Sequence, residues 1–412
     1  MTRRELFAFA PIALAQAAAP PLPHWRQWGG PNRNFQLPGS APIKSKWSAA
    51  GPKLLWRRRL GEGYSSPSVD SSVLYCMYQK AGREITIAAN AGTGETIWEQ
   101  SAATSFRSAY PEMGQGPYAT PLIADDRIVT AGVTGLIECR ARKDGALLWK
   151  HDLWRDHGGS RLDYGYSSSP IAFRNLVIVP CGGKGKSLIA FKLSDGSVDW
   201  AANDFPNAYS SPVLIRLDGL EQLVMLLDGA LIAVNPHNGD LQWRVPFKAS
   251  YGIAVATPLW LPGDLLFISA EYDAGAKMIR LRRNGLKTTA TEVWSANRLR
   301  LHHGNAIHID GMLYFSSGGK GSVAVLTAVD AATGKIHWQS RALSKATFLQ
   351  AGDKVLALEQ DGVLHLCRLS PGGFESISKA VVLSNNAWTP AALAGTKLYL
   401  RDRRELAAVE LG

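Results

Sequence analysis

Four stretches of the sequence gather side chains suited to binding. SFRSAYPEMGQGP (105–117) offers Arg107 and Tyr110, and WRDHGGSRLDYGY (154–166) offers His157, Arg161, Asp163 and Tyr164. RLRLHHGN (298–305) offers His302 and His303, and SNNAW (384–388) offers Asn385, Asn386 and Trp388. A guanidinium close to a phenol ring, as in Arg107 with Tyr110 or Arg161 with Tyr164, pairs an anion-binding fork with a flat face. That combination suits a small anionic or sugar-like ligand, and equally an extended segment of a protein partner.

Other chemistries find less support. His302, His303 and His308 invite a metal, but adjacent residues on a strand face opposite ways. A third ligand such as Asp163 would have to come from elsewhere, so no metal site is expected. GGKGKS (182–187) resembles a phosphate loop, yet Pro180 stands where that motif needs its first glycine. No GxSxG elbow and no HExxH pair occurs in the sequence. The four cysteines, Cys76, Cys139, Cys181 and Cys367, are scattered through apolar runs and form no CxxC pair. Arginines cluster at 57–59, 280–283, 298–300 and 401–404, in separate parts of the chain. Nucleic-acid binding wants one continuous basic stripe with stacking aromatics, so no nucleic-acid partner is expected.

The elements that position these residues follow from internal repetition. LIECRARKDGALLW (136–149), LIAFKLSDGSVDW (188–200), LIAVNPHNGDLQW (231–243), LTAVDAATGKIHW (326–338) and ITIAANAGTGETIW (85–98) share one pattern. In each, a glycine stands four residues before a tryptophan and follows Thr, Asp or Asn. Alternating apolar residues on both sides of such a turn predict a β-hairpin. Upstream of the hairpins recurs a short strand built on Ser-Pro or Thr-Pro: YSSPSV (64–69), YATPLI (118–123), SSSPIA (167–172), YSSPVL (209–214), VATPLW (255–260) and AWTPAA (387–392). Weaker copies are HGNAIHI (303–309) and KATFLQ (345–350). A further apolar strand lies between the two elements, giving four strands in about 42–54 residues, eight times over.

Four antiparallel strands at this period predict a propeller blade. The fold class expected is therefore all-β, an eight-bladed β-propeller of four-stranded antiparallel blades. The last copy runs out of chain after three strands, so KLLWRRRL (53–60) is expected to supply the fourth and close the ring. Trp56, Trp98, Trp149, Trp200, Trp243, Trp294 and Trp338 recur on the outer strand of seven blades, as inter-blade packing residues. Blade seven has Ile377 in that position and blade five has a longer turn, RRNGLKTTATEVW (282–294), so looser contacts are expected at both.

Composition agrees with a globular chain: 46% hydrophobic, 19% charged and a net charge of +11 over 412 residues. Residues 1–19, MTRRELFAFAPIALAQAAA, have the charged, apolar and small-residue order of a signal peptide. The paired arginines suit twin-arginine export, which places the protein in the periplasm or outside a bacterial cell. The divisions expected are a signal peptide (1–19), an N-terminal extended segment (20–52) and the propeller (53–412). No apolar run reaches the roughly 18 residues of a transmembrane helix. A monomer is expected.

The aliphatic strand, TG- or DG-type turn and tryptophan resemble the tryptophan-docking motif of the pyrroloquinoline-quinone (PQQ) propeller superfamily, over about residues 53–411. HWRQWGGPNRN (24–34) is similar to the WxxWxGPxR lead-in of exported PQQ-like repeat proteins. The resemblance implies one of two functions. One is a non-enzymatic binding or scaffold module that holds a ligand or partner at the propeller mouth. The alternative is a quinoprotein dehydrogenase that oxidises an alcohol or sugar with PQQ and Ca²⁺ over the ring axis. The vicinal cysteine pair of many such enzymes is missing, and no Glu/Asn/Asp set here matches their calcium site. The binding module is therefore the expectation.

Overall fold

Blade one shows how the sequence builds the unit. Its middle strand, Val73–Lys80, is a nearly unbroken apolar run because neighbouring blades cover both its faces. Its outer strand, Thr96–Ala103, alternates, burying Trp98 and exposing the residues on either side. The computed structural model describes residues 24–37, 39, 42–318, 323–384 and 386–412, so the expected signal peptide and Asn385 lie outside the described residues.

Eight such sheets form the ring, each with four antiparallel strands in sequence order. The eighth takes its outermost strand from the start of the chain: Lys53–Arg59 pairs antiparallel with Glu405–Glu410. Helical structure among the described residues is limited to two single-turn 3₁₀ segments, Pro111–Met113 and Ser250–Gly252.

The turn glycines and tryptophans explain one another. Gly94 takes φ of +75°, which the turn requires, and a Cβ there would come within 2.7 Å of the Trp56 ring. Trp56, Trp98, Trp149, Trp200 and Trp294 thus lie against the turn glycine of the next blade, and six of the seven tryptophans donate the indole N–H to a carbonyl at that turn. The acceptors are Ala91 for Trp56, Arg142 for Trp98, Leu193 for Trp149, Pro236 for Trp200, Ala331 for Trp294 and Ser370 for Trp338, at 2.9–3.1 Å.

The two departures from the repeat have specific causes. Where blade four meets blade five, Trp243 donates to Gln222 Oε1 of its own blade at 2.7 Å, and Gln222 Nε2 donates to Thr288 Oγ1 of blade five at 2.9 Å. The contact expected to be looser is bridged by a side-chain relay, and Trp243 stays buried. Where blade seven meets blade eight, no hairpin turn exists for a tryptophan to cover, because blade eight's third and fourth strands come from opposite ends of the chain. Ile377 is half-buried there. The N-terminal segment fills the seam instead: Trp47 is buried, its backbone N–H donates to Ser378 Oγ, and Lys44 N–H donates to Leu411 O.

Residues 24–37 cross the ring axis. Trp25 exchanges backbone hydrogen bonds with Val69 of blade one, and Arg26 O accepts from Ile123 N of blade two. Arg33 donates to Ser169 O and Pro170 O of blade three. Trp28 Nε1 donates to Thr257 Oγ1 of blade five at 2.9 Å, and Gln36 Nε2 donates to His308 O of blade six. Gln36–Leu37 then pairs in parallel with Gln350–Ala351 of blade seven. Within the segment expected to be extended, residues 27–35 are turns, which Gly29 and Gly30 permit by their positive φ. This stretch plugs the propeller from one side.

Candidate functional site

The six Pro-centred segments and their two weaker copies begin, in order, with Tyr64, Tyr118, Ser167, Tyr209, Val255, His303, Lys345 and Ala387. The first six of these, with Trp388, line one cavity above the plug. Two residues further along, Ser66, Ser169, Ser211, Asn305 and Thr389 form a collar whose side chains clasp neighbouring blades. Thr389 Oγ1 donates to Tyr64 O and Ser66 Oγ to Pro390 O, which joins the last blade to the first. Ser169 Oγ accepts from Thr120 N, Ser211 Oγ accepts from Ser169 N, and Asn305 exchanges two hydrogen bonds with the Phe348 backbone.

Above the collar opens a cavity of about 150 Å³, with Trp28 and Phe35 of the plug at its floor. Its wall is a chain of ring contacts. Tyr118 stacks on Tyr64 at 6.2 Å, Tyr64 on Trp388 at 5.4 Å, and Trp388 on His303 at 5.3 Å. His302 and His303 lie 3.6 Å apart between centroids, and Tyr272 meets His302 edge-on. On the other side Tyr164 meets Tyr209 edge-on at 5.9 Å and stacks with Tyr110 at 5.1 Å.

The electrostatics of this wall are neutral. Burial lowers the His302 imidazole to about 3, with Lys345 adding to the effect, and burial holds His303 well below its usual range. Both rings are therefore uncharged at neutral pH. His302 Nε2 shares a hydrogen bond with Tyr272 OH at 3.1 Å. Burial raises the phenols of Tyr64 and Tyr209 to about 12, so they stay protonated. Among the described residues that line the cavity there is no Asp, Glu, Lys or Arg.

The sequence-derived candidates separate into two groups. Tyr164, His302, His303 and Trp388 line the cavity, Tyr110 extends it through its stack on Tyr164, and Asn386 lies close enough to Tyr64 to act on its phenol. The two histidines share the cavity although they are neighbours, because residues 299–304 form an irregular bend in which strand alternation does not hold. His157 lies elsewhere, in the seam between blades two and three, hydrogen-bonded to His151 and edge-on to Phe191. Arg161 covers Trp154 at 5.4 Å rather than Tyr164, and Asp163 is exposed. Arg107 is exposed and donates to the adjacent Phe106 O.

Sequence reasoning missed Tyr64, Tyr118, Tyr209, Trp28 and Phe35. The first three open segments already recognised as repeats, so the signal was present in their alignment. Trp28 and Phe35 come from the lead-in, whose path across the axis no local pattern reveals.

A calcium-held quinone does not fit this wall. Calcium takes six to eight oxygen ligands, carboxylates prominent among them. The described lining residues supply no carboxylate, and their one amide, Asn305, is engaged with Phe348. Nor do the described residues contain any cluster of three His, Cys, Asp or Glu side chains arranged for a metal. The four cysteines are separate buried thiols, and burial pushes Cys139 and Cys367 up to about 12, far from nucleophilic thiolates.

Comparison with known proteins gives a family and a fold. A family model described as outer membrane protein assembly factor BamB matches residues 81–340. The outer membrane protein assembly factor BamB of Yersinia pestis is 22% identical over 309 residues, covering 73% of this chain and 74% of that protein. The crystal structure of BamB from Moraxella catarrhalis superposes with a TM-score of 0.60 at 13% identity, covering 87% of this chain and 97% of that one. Quinohemoprotein alcohol dehydrogenase from Comamonas testosteroni superposes with a TM-score of 0.66 at 11% identity, covering 95% of this chain and 81% of that one. At these identities the structural likeness speaks for the fold alone.

Proposed function

The chain belongs to the PQQ-like propeller family described as outer membrane protein assembly factor BamB, and from that membership we propose that it is an exported scaffold that holds a protein partner at the aromatic mouth of the propeller. The observation that carries this reading is the cavity itself. It is a blind cup, floored by the chain's own Trp28 and Phe35 and walled by flat, neutral rings. Such a surface binds by shape and apolar contact rather than by chemistry on a substrate.

The setting we propose is the periplasmic side of a bacterial outer membrane, where the protein serves assembly of outer-membrane proteins as the relatives' name states for them. The signal-like residues 1–19 support export, and no helix among the described residues is long and apolar enough to cross a membrane. We take the protein to act as a monomer. The alternative, a PQQ-dependent dehydrogenase, has the fold of its relatives behind it but not the donor set in the cup.

Photo-crosslinking in cells tests the proposal. A benzophenone amino acid at Tyr110, on the rim, is expected to give a discrete protein adduct on illumination. The same group at Arg216, exposed near the first turn of blade four at the opposite face, is expected to give none. Equal adducts from both positions, or adducts from Arg216 alone, would move the partner away from the mouth.

A further inference from the structure

We propose that the cup is a socket for one aromatic side chain projected by the partner, a deduction that rests on the mouth being the partner site. Elimination leads there. An anion finds no cation among the described lining residues, which include no Lys or Arg and whose two imidazoles are neutral; Lys345, which acts on both imidazoles, is not among them and feels the Glu271 carboxylate. A sugar ring carries hydroxyls around its whole edge, and burying them without partners costs about 1–3 kcal/mol each. Most hydroxyl and amide side chains of the wall are already engaged, and the two buried polar atoms without a partner among the described lining residues, Tyr64 OH and His302 Nδ1, are too few for a sugar's edge. Ser167 Oγ donates to Tyr209 O, Thr389 Oγ1 to Tyr64 O, and Thr257 Oγ1 accepts from Trp28. Ser169, Ser211 and Asn305 clasp neighbouring blades in the same way.

Size narrows the choice further. A cavity of about 150 Å³ lies below the roughly 300–1,000 Å³ of drug-sized and cofactor sites, and an apolar cavity of about that size accepts one benzene ring. The wall then offers stacked and edge-on faces on all sides, the geometry that aromatic pairs prefer.

The rim argues for a side chain on a protein segment rather than a free ring. Tyr251, 87% exposed, stands edge-on to Tyr272, and Tyr110, 41% exposed, lies over Tyr164. These two carry the apolar surface outward past the socket, where only a longer ligand would cover it. A central anchor in a pocket, surrounded by contacts that exclude water, is the common anatomy of a protein-binding hot spot.

The test is a random-peptide display selection on the immobilised full chain, followed by fluorescence anisotropy of the selected peptides. The peptides are expected to share one aromatic residue, and changing it to Ala is expected to weaken binding by about tenfold or more, as loss of a hot-spot anchor does. Val255→Trp, which fills the cup, is expected to abolish binding while leaving the melting temperature in place. Should that variant melt early, competition on the unaltered protein decides: p-cresol displaces the peptide and glucose does not. Selected peptides with no shared aromatic, or an unchanged affinity after the Ala replacement, would overturn the socket. If such peptides still fail to bind Val255→Trp, the mouth remains the partner site. Peptides that bind Val255→Trp undiminished would overturn both readings.

Discussion

A chain beginning at residue 63 is expected to lose the cooperative thermal transition of the full protein, although it retains eight three- or four-stranded sheets. The deletion removes Lys53–Arg59, leaving Glu405–Glu410 as an exposed edge and the last blade with three strands. It also removes Trp56 from the seam between blades eight and one, Trp47 from the seam between seven and eight, and Trp25 from the axis. Losing a buried tryptophan costs roughly 3–5 kcal/mol. Three such losses match the whole net stability of a typical domain, about 5–15 kcal/mol. A chain beginning at residue 42 keeps the closing strand and Trp47, and is expected to melt cooperatively at a lower temperature. Calorimetry and near-ultraviolet circular dichroism distinguish these outcomes. An unaltered transition in the chain that begins at residue 63 would show that Lys53–Arg59 does not close the ring.

Trp200→Ala is expected to destabilise the protein by roughly 3–5 kcal/mol. Trp200 is buried, donates to Pro236 O at 3.1 Å, and lies so close to Gly239 that a Cβ on that glycine would stand 2.6 Å from the ring. At the entropy of unfolding of a chain this long, the midpoint falls by roughly 4–6 °C. Gly239→Val strikes the same contact from the other side and adds strain at φ of +77°. The two changes together are expected to cost less than their sum, because they remove one shared contact. Full additivity would mean that the ring and the turn act independently.

Much of the architecture could be read along the chain because a propeller is a repeat, and a repeat writes its packing rule many times. The Gly-to-Trp spacing encodes a contact between successive blades, so five intact copies disclose the docking from sequence alone. The closing strand was legible for the same reason, as Trp56 stands in Lys53–Arg59 where the eighth copy lacks one. What escaped was longer in range. Ile377 looked like a weakened copy, yet it marks the one seam without a hairpin turn to cover. Trp243 looked normal, yet its partner is Gln222 rather than the next turn.

The mouth was half legible. The connectors carrying Tyr110, Tyr164, His302, His303 and Trp388 were identified because they are rich in binding side chains. His157 and Arg161 belong to one of the same connectors but bend back onto Phe191 and Trp154, a choice set by local packing. Tyr64, Tyr118 and Tyr209 were hidden inside segments that read as strand starts. Their convergence depends on closing eight blades into a circle, and Trp28 reaches Thr257 across 229 residues of sequence. No periodicity within one blade carries that information.

The quinohemoprotein alcohol dehydrogenase of similar structure shares the fold, and a fold does not fix the chemistry of the site it carries. Titration of the purified protein with PQQ and Ca²⁺, followed by dye reduction with a panel of alcohols and aldoses, tests this account most directly. A cup of neutral rings without carboxylates is expected to take up no stoichiometric PQQ and to support no turnover. Stoichiometric uptake with turnover that is lost on changing Trp388 or His303 would contradict it and make the mouth an enzyme's active site.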